Sequence, residues 1–278
     1  MTFFLALSLL AQTASADTIT VCTTGCDHDD IGDAVADAVD GDVLELERRT
    51  WSVDGLYLYD SISLVADPDG EGDVTLDLSG KIYVDDSATV SLDELYITGT
   101  VTWAAVHNTG TLSMTDCVVS GVDAGWMPIF NSGTMSLSDS SVVDNTADVA
   151  GGIFSSGDLD VIDSKILRNT ATGADDLMTG GLICGYDAVV RLKRSRVADN
   201  EGGIGGLYAH SGCEVRMTRS KVTSNHGYDN TGGVMLRSGA QLYVWTNSSV
   251  AGNTSDVTAD QIEADSDSGW GGDASSVW

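Results

Sequence analysis

Short stretches in which apolar and polar residues alternate recur along most of this chain. In one example Val190 and Leu192 alternate with polar or charged residues, and a further apolar residue, Val197, follows a polar break. Alternation with a period of two is typical of strands that bury one face. The pattern returns every 24 to 31 residues, a spacing that indicates a repeat architecture, in five aligned units: 133–145, 157–169, 188–200, 213–225 and 240–253.

Each unit contains two such strands, and a third follows a Gly-Gly-apolar signal such as Gly151-Gly152-Ile153. Three short strands per repeat, with only two prolines and no long helical pattern, predict an all-β fold, a single-stranded parallel β-helix. Crossover connections between parallel strands are strongly biased towards the right-handed form, so we predict a right-handed helix. Successive coils would pair in parallel about 4.8 Å apart, which stacks one apolar column: Leu112, Met135, Leu159, Val190, Val215 and Leu242.

A short amphipathic helix is predicted near the N-terminal end, where it would cover the exposed apolar end of the first coil. Asp29 or Asp30 can cap it and Gly41-Asp42 would end it. Its apolar positions have helical spacing: Ile31, Ala34, Val35, Ala38 and Val39. We predict a cap with the first strands over 17–50, coils over 51–254, and over 255–278 an acidic Gly- and Ser-rich tail that is a cap or disordered.

Two residue types mark the repeat most clearly, and we interpret both as structural. One is a column of asparagines: Asn145, Asn169, Asn200, Asn225 and Asn253. Asparagine tolerates the left-handed conformation of a sharp turn, and stacked amides can hydrogen-bond from coil to coil. The paired glycines would allow a turn or a tight approach of backbones, since no Lys-Ser/Thr follows them as in a phosphate-binding loop.

The alternation of Gly-Gly-apolar with apolar-x-x-Asn, as in GGIF, VVDN, ILRN, VADN, VTSN and VAGN, resembles the repeats of the polymorphic outer membrane protein family. The run TVCTTGCDHDDIGDAVADAVDGDVLEL resembles the entry segment of secreted right-handed β-helix proteins of the pectate-lyase-like superfamily. The resemblance implies the fold more specifically than the function, because members of these families include both surface adhesins and polysaccharide-cleaving enzymes.

Residues 1–16 form an apolar run that ends in Ala14-Ser15-Ala16. The run is similar to a signal peptide, although it has no Lys or Arg, and it is too short to cross a bilayer. We therefore expect a secreted or surface-exposed protein, outside the cell or associated with the outer membrane, with no transmembrane anchor in the mature chain.

The five cysteines leave several pairings open. Cys22 and Cys26 could form a small disulfide in an oxidising compartment. The other three lie at repeat positions that Ser, Phe, Tyr or Gly occupy in sister units: Cys117, Cys184 and Cys213. Small buried thiols are the favoured interpretation of these three over a second bridge.

The net charge of −29 argues against partners such as nucleic acid or an anionic membrane. Residues 157–225 are nevertheless neutral, with nine cations and nine acids, so the rest of the chain carries the whole net charge. In the aligned units Arg194 and Arg219 share one register, where the earlier coils instead carry Asp116, Asp139 and Asp163. Aligned cations either form a mixed ladder with neighbouring carboxylates or bind an acidic polysaccharide or cell-surface glycan. The candidate ligand-binding residues are Lys165, Arg191, Lys193, Arg194, Arg196, Arg216, Arg219 and Lys221.

No catalytic residues or metal ligands are assigned, because the Gly-His-Gly and Arg-x-Lys elements of polygalacturonase-like hydrolases are missing. Calcium could bind acidic loop residues, although scattered Asp side chains are more often solvated: Asp144, Asp148, Asp175, Asp176 and Asp229. Trp103, Trp126 and Trp245 could stack on sugars, with packing in the core or in an end cap favoured. The leading hypothesis is a structural or binding β-helix, adhesin-like or glycan-binding. The alternative is a lyase or glycoside hydrolase that cleaves an acidic polysaccharide at the basic face near Arg191 to Lys221. Function is also expected in the ten-residue loop from Thr170 to Thr179.

Overall fold

The computed structural model describes residues 16–175, 177–258 and 261–272, and over this range the chain is a right-handed parallel β-helix, as predicted. Each coil passes through three parallel sheets in turn. Sheet 1 has eleven strands: Thr18–Val21, Val43–Leu46, Ser63–Ala66, Thr89–Asp93, Thr111–Thr115, Thr134–Ser138, Asp158–Ile162, Val189–Lys193, Glu214–Thr218, Gln241–Trp245 and Gly269–Gly272. The sequence expectation for residues 1–15 falls outside the described residues.

Sheet 2 has fourteen strands: Thr50–Val53, Val74–Leu78, Leu95–Val101, Val118–Ala124, Ser141–Val143, Thr146–Ala147, Lys165–Leu167, Thr170–Ala171, Arg196–Ala198, Glu201–Gly202, Lys221–Thr223, His226–Gly227, Ser249–Ala251 and Thr254–Ser255. Sheet 3 has nine: Leu56–Leu58, Ile82–Val84, Ala104–Asn108, Met127–Asn131, Ile153–Ser155, Leu182–Cys184, Leu207–Ala209, Val234–Leu236 and Ile262–Ala264. The last strands of sheets 1 and 3 lie beyond residue 254, so the described part of the acidic tail also forms strands.

One helix, Ile31–Asp37, covers the N-terminal end of the solenoid. The Asp30 side chain accepts hydrogen bonds from the backbone N–H groups of Gly32 and Asp33, which satisfies two donors that the first turn leaves free. Ile31 and Ala34 are buried in the core. The helix ends before Gly41, because Ala38 is already extended.

The core is a set of apolar columns along the solenoid axis. The predicted column from Leu112 to Leu242 is confirmed: its members pair in register on consecutive strands of sheet 1 and are at most 1% exposed. A second apolar cluster lies outside the solenoid, on the outer face of sheet 3, and includes Ile183, Tyr208 and Met235. Leu177, in the loop that was expected to carry function, packs against this second cluster.

The asparagine column forms a continuous buried ladder at a turn in the middle of sheet 2. Asn200 shows the pattern: its Oδ1 accepts from the backbone N and the Nδ2 of Asn169, and its Nδ2 donates to Ile166 O and to Asn225 Oδ1. Coil-to-coil amide bonding was predicted correctly. Gln261 ends the ladder by accepting from the N and the Nδ2 of Asn253.

The predicted left-handed conformation of these asparagines is wrong. It belongs to the residue just before each of four of them, with φ between 53° and 59°: Asp144, Arg168, Asp199 and Ser224. The sharp reversal at that preceding residue turns the asparagine side chain inward, where its amide can only bond to neighbouring coils. The asparagines are therefore hydrogen-bonding residues of the turn.

The glycine pairs lie against this ladder. A Cβ on Gly206 would be 2.4 Å from Gly233 O, 2.8 Å from Val222 Cγ1 and 3.0 Å from Asn225 Nδ2. A Cβ on Gly181 would be similarly close to the next coil and to Asn200 Nδ2. Tight backbone approach, one of the two predicted roles, is thus the reason for these glycines.

A second buried ladder was missed at the turn between sheets 1 and 2. Each serine hydroxyl there accepts from the backbone N of the equivalent residue in the preceding coil, at 3.0 to 3.1 Å: Ser140, Ser164, Ser195, Ser220 and Ser248. Cys117 takes the serine position in the first of these coils. The recurring serine between the two strands of each unit was the available signal.

The cysteines form two disulfides in the described chain. Cys22 pairs with Cys26, and Cys184 pairs with Cys213 across a Cα–Cα distance of 6.1 Å. The interpretation of Cys184 and Cys213 as free thiols is therefore wrong, because the coil geometry brings the end of a sheet 3 strand next to the start of a later sheet 1 strand. The interpretation as a small buried thiol is correct for Cys117, which is free and buried.

Candidate functional site

The eight candidate cations project outward from three parts of the coils. Some lie on sheet 1 strands, some in the turn that follows each of these strands, and some on the sheet 2 strand that begins after the turn. Arg191 pairs in register with Arg216 on sheet 1. Lys165, Arg196 and Lys221 occupy one register position on three consecutive strands of sheet 2. Parallel strands lie about 4.8 Å apart, so the structure brings the predicted cations together on one edge of the solenoid.

Two of these arginines occupy the turn itself in the left-handed conformation, Arg194 at φ 51° and Arg219 at φ 52°. Earlier coils place an aspartate with the same φ at this position, for example Asp139 and Asp163. Each backbone N–H there donates to a carbonyl of the next coil, as Arg194 N does to Thr218 O at 2.9 Å. The predicted change from aspartate to arginine in one register is therefore real, and both arginines are exposed.

Half of the eight predicted cations are neutralised by carboxylates. Arg194 forms a two-pronged ion pair with Asp163, and this hydrogen bonding lowers the pKa of the Asp163 carboxyl. The remaining pairs are Arg196 with Asp199 at 3.2 Å, Arg216 with Glu214 at 2.6 Å, and Arg191 with Asp158 and Asp160 at 3.8 and 3.7 Å. The mixed charge ladder thus accounts for these four arginines.

The other four cations form no ion pair with any described residue, and all four are exposed: Lys165, Lys193, Arg219 and Lys221. This is notable in a chain of net charge −29, which has ample carboxylates to offer. These four cations lie in the turn between sheets 1 and 2 or at the strand ends on either side of it, where an anionic ligand could reach them from solvent.

A stacked aromatic pair, of which Tyr243 is half-buried and Trp245 is exposed, continues the surface on the next strand of sheet 1. The rings of Tyr243 and Trp245 stack with centroids 5.2 Å apart and an interplanar angle of 20°. Tyr243 pairs in register with Arg216, and Trp245 with Thr218. Trp245 is 39% exposed, so packing in the core is wrong for it. Tyr243 was not identified from the sequence, although it occupies the register position of Arg191 and Arg216.

We call this surface the basic-aromatic face, and its members are Lys165, Arg191, Lys193, Arg194, Arg196, Arg216, Arg219, Lys221, Tyr243 and Trp245. The other two tryptophans that were considered for sugar stacking lie elsewhere: Trp126 is 54% exposed and Trp103 packs against the second apolar cluster. Both therefore also lie outside the main core.

Three of the acidic loop residues considered for calcium have partners within the chain. Asp144 pairs with Arg168, Asp148 accepts from Thr172, and Asp175 accepts from Leu177 N. Asp176 lies outside the described residues. Over the described ranges, no group of three or more His, Cys, Asp or Glu side chains is arranged to hold a metal ion.

The comparisons with known proteins concern the fold. A family model described as a right-handed β-helix region matches residues 80–255, more than half of the chain. The crystal structure of pectate lyase Pel9A is similar at 14% sequence identity and a TM-score of 0.49, over 92% of this chain and 79% of that one. No curated protein matches the sequence. In the described residues no helix is long and apolar enough to cross a membrane.

Proposed function

Since this chain belongs to the family of right-handed β-helix regions, which leaves its ligand open, we propose that it binds an acidic polysaccharide along the basic-aromatic face. One observation carries the proposal: four exposed cations without a carboxylate partner in the described chain lie on the same surface as the stacked pair of the half-buried Tyr243 and the exposed Trp245. Carboxylate or sulfate groups on a sugar would neutralise the cations. The aromatic pair offers a flat apolar surface to a sugar ring.

The arrangement suits a long ligand better than a small one. The cations are repeated on successive strands, and therefore run along the solenoid axis at intervals of about 4.8 Å. A polymer with an anionic group on each sugar could contact several of them at once, and this would give many weak contacts rather than one deep pocket. The bound form would also remove the repulsion among Lys165, Arg196 and Lys221.

The basic-aromatic face predicts a charge-dependent binding experiment. We expect the double variant Lys193→Ala/Arg219→Ala to bind a uronate-containing polysaccharide about tenfold more weakly, because two unneutralised cations are removed. Binding by the wild type should weaken as salt is added. The affinity would be measured by titration calorimetry against uronate-containing polysaccharides, with and without calcium.

Arg168→Ala is the matched control, since Arg168 is also a left-handed turn arginine, with φ 53°, but is neutralised by an ion pair with Asp144 and is not a member of the face. Its affinity should stay within about twofold of wild type. Unchanged affinity of the double variant, or no binding of uronates by the wild type, would contradict the proposal.

Cleavage of such a polysaccharide is the second candidate, and one feature favours it. Asp158 and Asp160 both approach Arg191, at 3.8 and 3.7 Å, on the outer face of sheet 1. Two carboxylates beside a cation can supply acid and base groups for hydrolysis or elimination. Release of reducing or unsaturated ends during incubation, abolished in Asp160→Asn, would replace the binding-only proposal with an enzyme.

We further propose that the protein is secreted or surface-exposed. The signal-like run of residues 1–16 supports this, and so do the two disulfides, which persist in oxidising compartments.

A count of reactive thiols would test this proposal. In the exported and denatured protein, one thiol, that of Cys117, should react with a thiol reagent, and five should react after reduction. Denaturation is required, because burial raises the pKa of the Cys117 thiol to about 12. Cys117→Ala should titrate none, whereas five thiols without reductant would contradict export to an oxidising compartment.

A further inference from the structure

A column of aromatic side chains runs over the outer face of sheet 3 in the N-terminal half. Tyr57, Tyr83, His107, Phe130 and Phe154 occupy one register position on five consecutive strands. Neighbouring ring centroids are 5.1 to 6.2 Å apart along the column. A solvent-facing side of a sheet is usually polar, so an aromatic column there needs something to cover it.

The described residues cover only part of the column. Phe130 and Phe154 pack against the second apolar cluster. Towards the N-terminal end the rings are open, and Tyr57 is 50% exposed. A cavity of about 280 Å³ lies there, lined by Tyr57, Lys81 and Trp103 together with the polar residues Ser79 and Thr102. We call Tyr57, Lys81, Tyr83 and Trp103 the aromatic platform.

Lys81 gives the platform a positive charge that no described carboxylate neutralises. Its Nζ lies 4.9 Å from the ring centroid of Tyr83, 5.8 Å from that of Trp103 and 6.0 Å from that of Tyr57. Lys81 forms no ion pair with any residue that the structure describes, although the net charge is −29. Ser79 hydrogen-bonds to Asp54 at the rim, at 3.0 Å.

His107 adds no second cation to the platform. Burial, together with the nearby Lys81, lowers its pKa to about 4, so its ring is neutral near pH 7. Its Nδ1 is buried without a hydrogen-bond partner, and its ring packs 4.6 Å from Trp103 and 5.1 Å from Tyr83. The open part of the column therefore offers aromatic faces, hydroxyl groups and the single ammonium of Lys81.

We propose that the aromatic platform is a second polysaccharide site, which binds one uronic-acid residue. The sugar ring would stack on the exposed aromatic faces, and its carboxylate would pair with Lys81 Nζ. The ligand class is that of the proposed function, but the residues are independent of the basic-aromatic face. Four strand spacings along sheet 3 separate Ile82–Val84 from Leu182–Cys184, or about 20 Å.

Two separate sites would make the protein bivalent. A long acidic chain could engage both sites and gain avidity, or two chains could be held side by side. A short uronate oligosaccharide that cannot span the sites would instead bind independently, with two molecules per protein. This stoichiometry separates the two proposals from each other.

The test is calorimetric titration of the full mature chain with such a uronate oligosaccharide. The wild type should bind two molecules. Lys81→Met should weaken one site about tenfold, while Lys81→Arg should retain it. A neutral oligosaccharide of the same length should not distinguish Lys81→Met from wild type. Tyr57→Ala should also weaken the platform site about tenfold, and circular dichroism would establish that each variant is folded.

Tyr186→Ala is the matched control, because Tyr186 is an exposed tyrosine next to a later sheet 3 strand and should leave both sites intact. If Lys81→Met and Tyr57→Ala retain two sites at wild-type affinity, the platform proposal is overturned. If Lys193→Ala/Arg219→Ala retains two sites at wild-type affinity, the proposed function is contradicted, whereas the platform proposal is not affected. A dimer in solution that Tyr57→Ala dissociates would show that a second copy of the chain covers the platform, which also overturns the proposal.

Discussion

Asn200→Ala should lower the free energy of unfolding by about 3 to 5 kcal/mol, because it orphans several buried polar groups at once. Without the Asn200 amide, the backbone N and the Nδ2 of Asn169 lose their shared acceptor, and Ile166 O loses its donor. No solvent reaches this position, since Asn200 is 0% exposed. Urea denaturation followed by far-ultraviolet circular dichroism would measure the loss.

Asn253→Ala is the matched control at the end of the same ladder. Asn253 is 7% exposed, lies in the coils near the C-terminal end, and bonds on one side to Gln261 rather than to another asparagine. The group that it leaves unpaired on the Gln261 side is only partly buried, so we expect a smaller loss than for Asn200. Equal losses at both positions would contradict the role of the continuous ladder.

Gly206→Ala should cost about 3 kcal/mol or more, although alanine is only one methyl group larger. The added Cβ would be 2.4 Å from Gly233 O, and backbone atoms cannot move away without breaking the pairing between coils. It would also press on Asn225 Nδ2 at 3.0 Å. The substitution therefore affects strand stacking and the asparagine ladder together, and thermal unfolding would detect it as a lowered Tm.

Gly271→Ala provides the comparison, because a Cβ there meets nothing within 4 Å and its φ is not in the left-handed range. We expect no loss of stability, since alanine has less conformational freedom to lose on folding than glycine. A Tm for Gly206→Ala that equals that of Gly271→Ala would show that the coils can separate locally, and that the close approach at Gly206 is not required.

The functional surfaces were only partly predictable. Alignment of the repeats placed Arg194 and Arg219 in one register, which the turn geometry bears out. It could not tell which cations have carboxylate partners. Arg194 reaches Asp163 in the preceding coil, whereas Lys193, one residue earlier, pairs with no described carboxylate. Side-chain direction at a turn depends on backbone angles that a repeat alignment does not contain.

The aromatic platform was harder still to predict. Tyr57, Tyr83 and His107 lie in the early part of the chain, before the repeat becomes obvious, so their common register could not be aligned. The cysteines were equally ambiguous, because Cys184 and Cys213 are 29 residues apart and meet only through the pitch of the coil. Both cases depend on contacts between coils of unequal length.

The sequence by itself determined the architecture of this protein: parallel coils, an inward apolar column, and turns marked by asparagine and glycine. It did so because strand alternation and turn chemistry are local, and repetition stacks like residues upon like. Only the tertiary structure decided which residue adopts the left-handed turn, which cysteines join and which cations stay unpaired. Those outcomes depend on distances between coils, and the spacing of residues along one chain does not specify them.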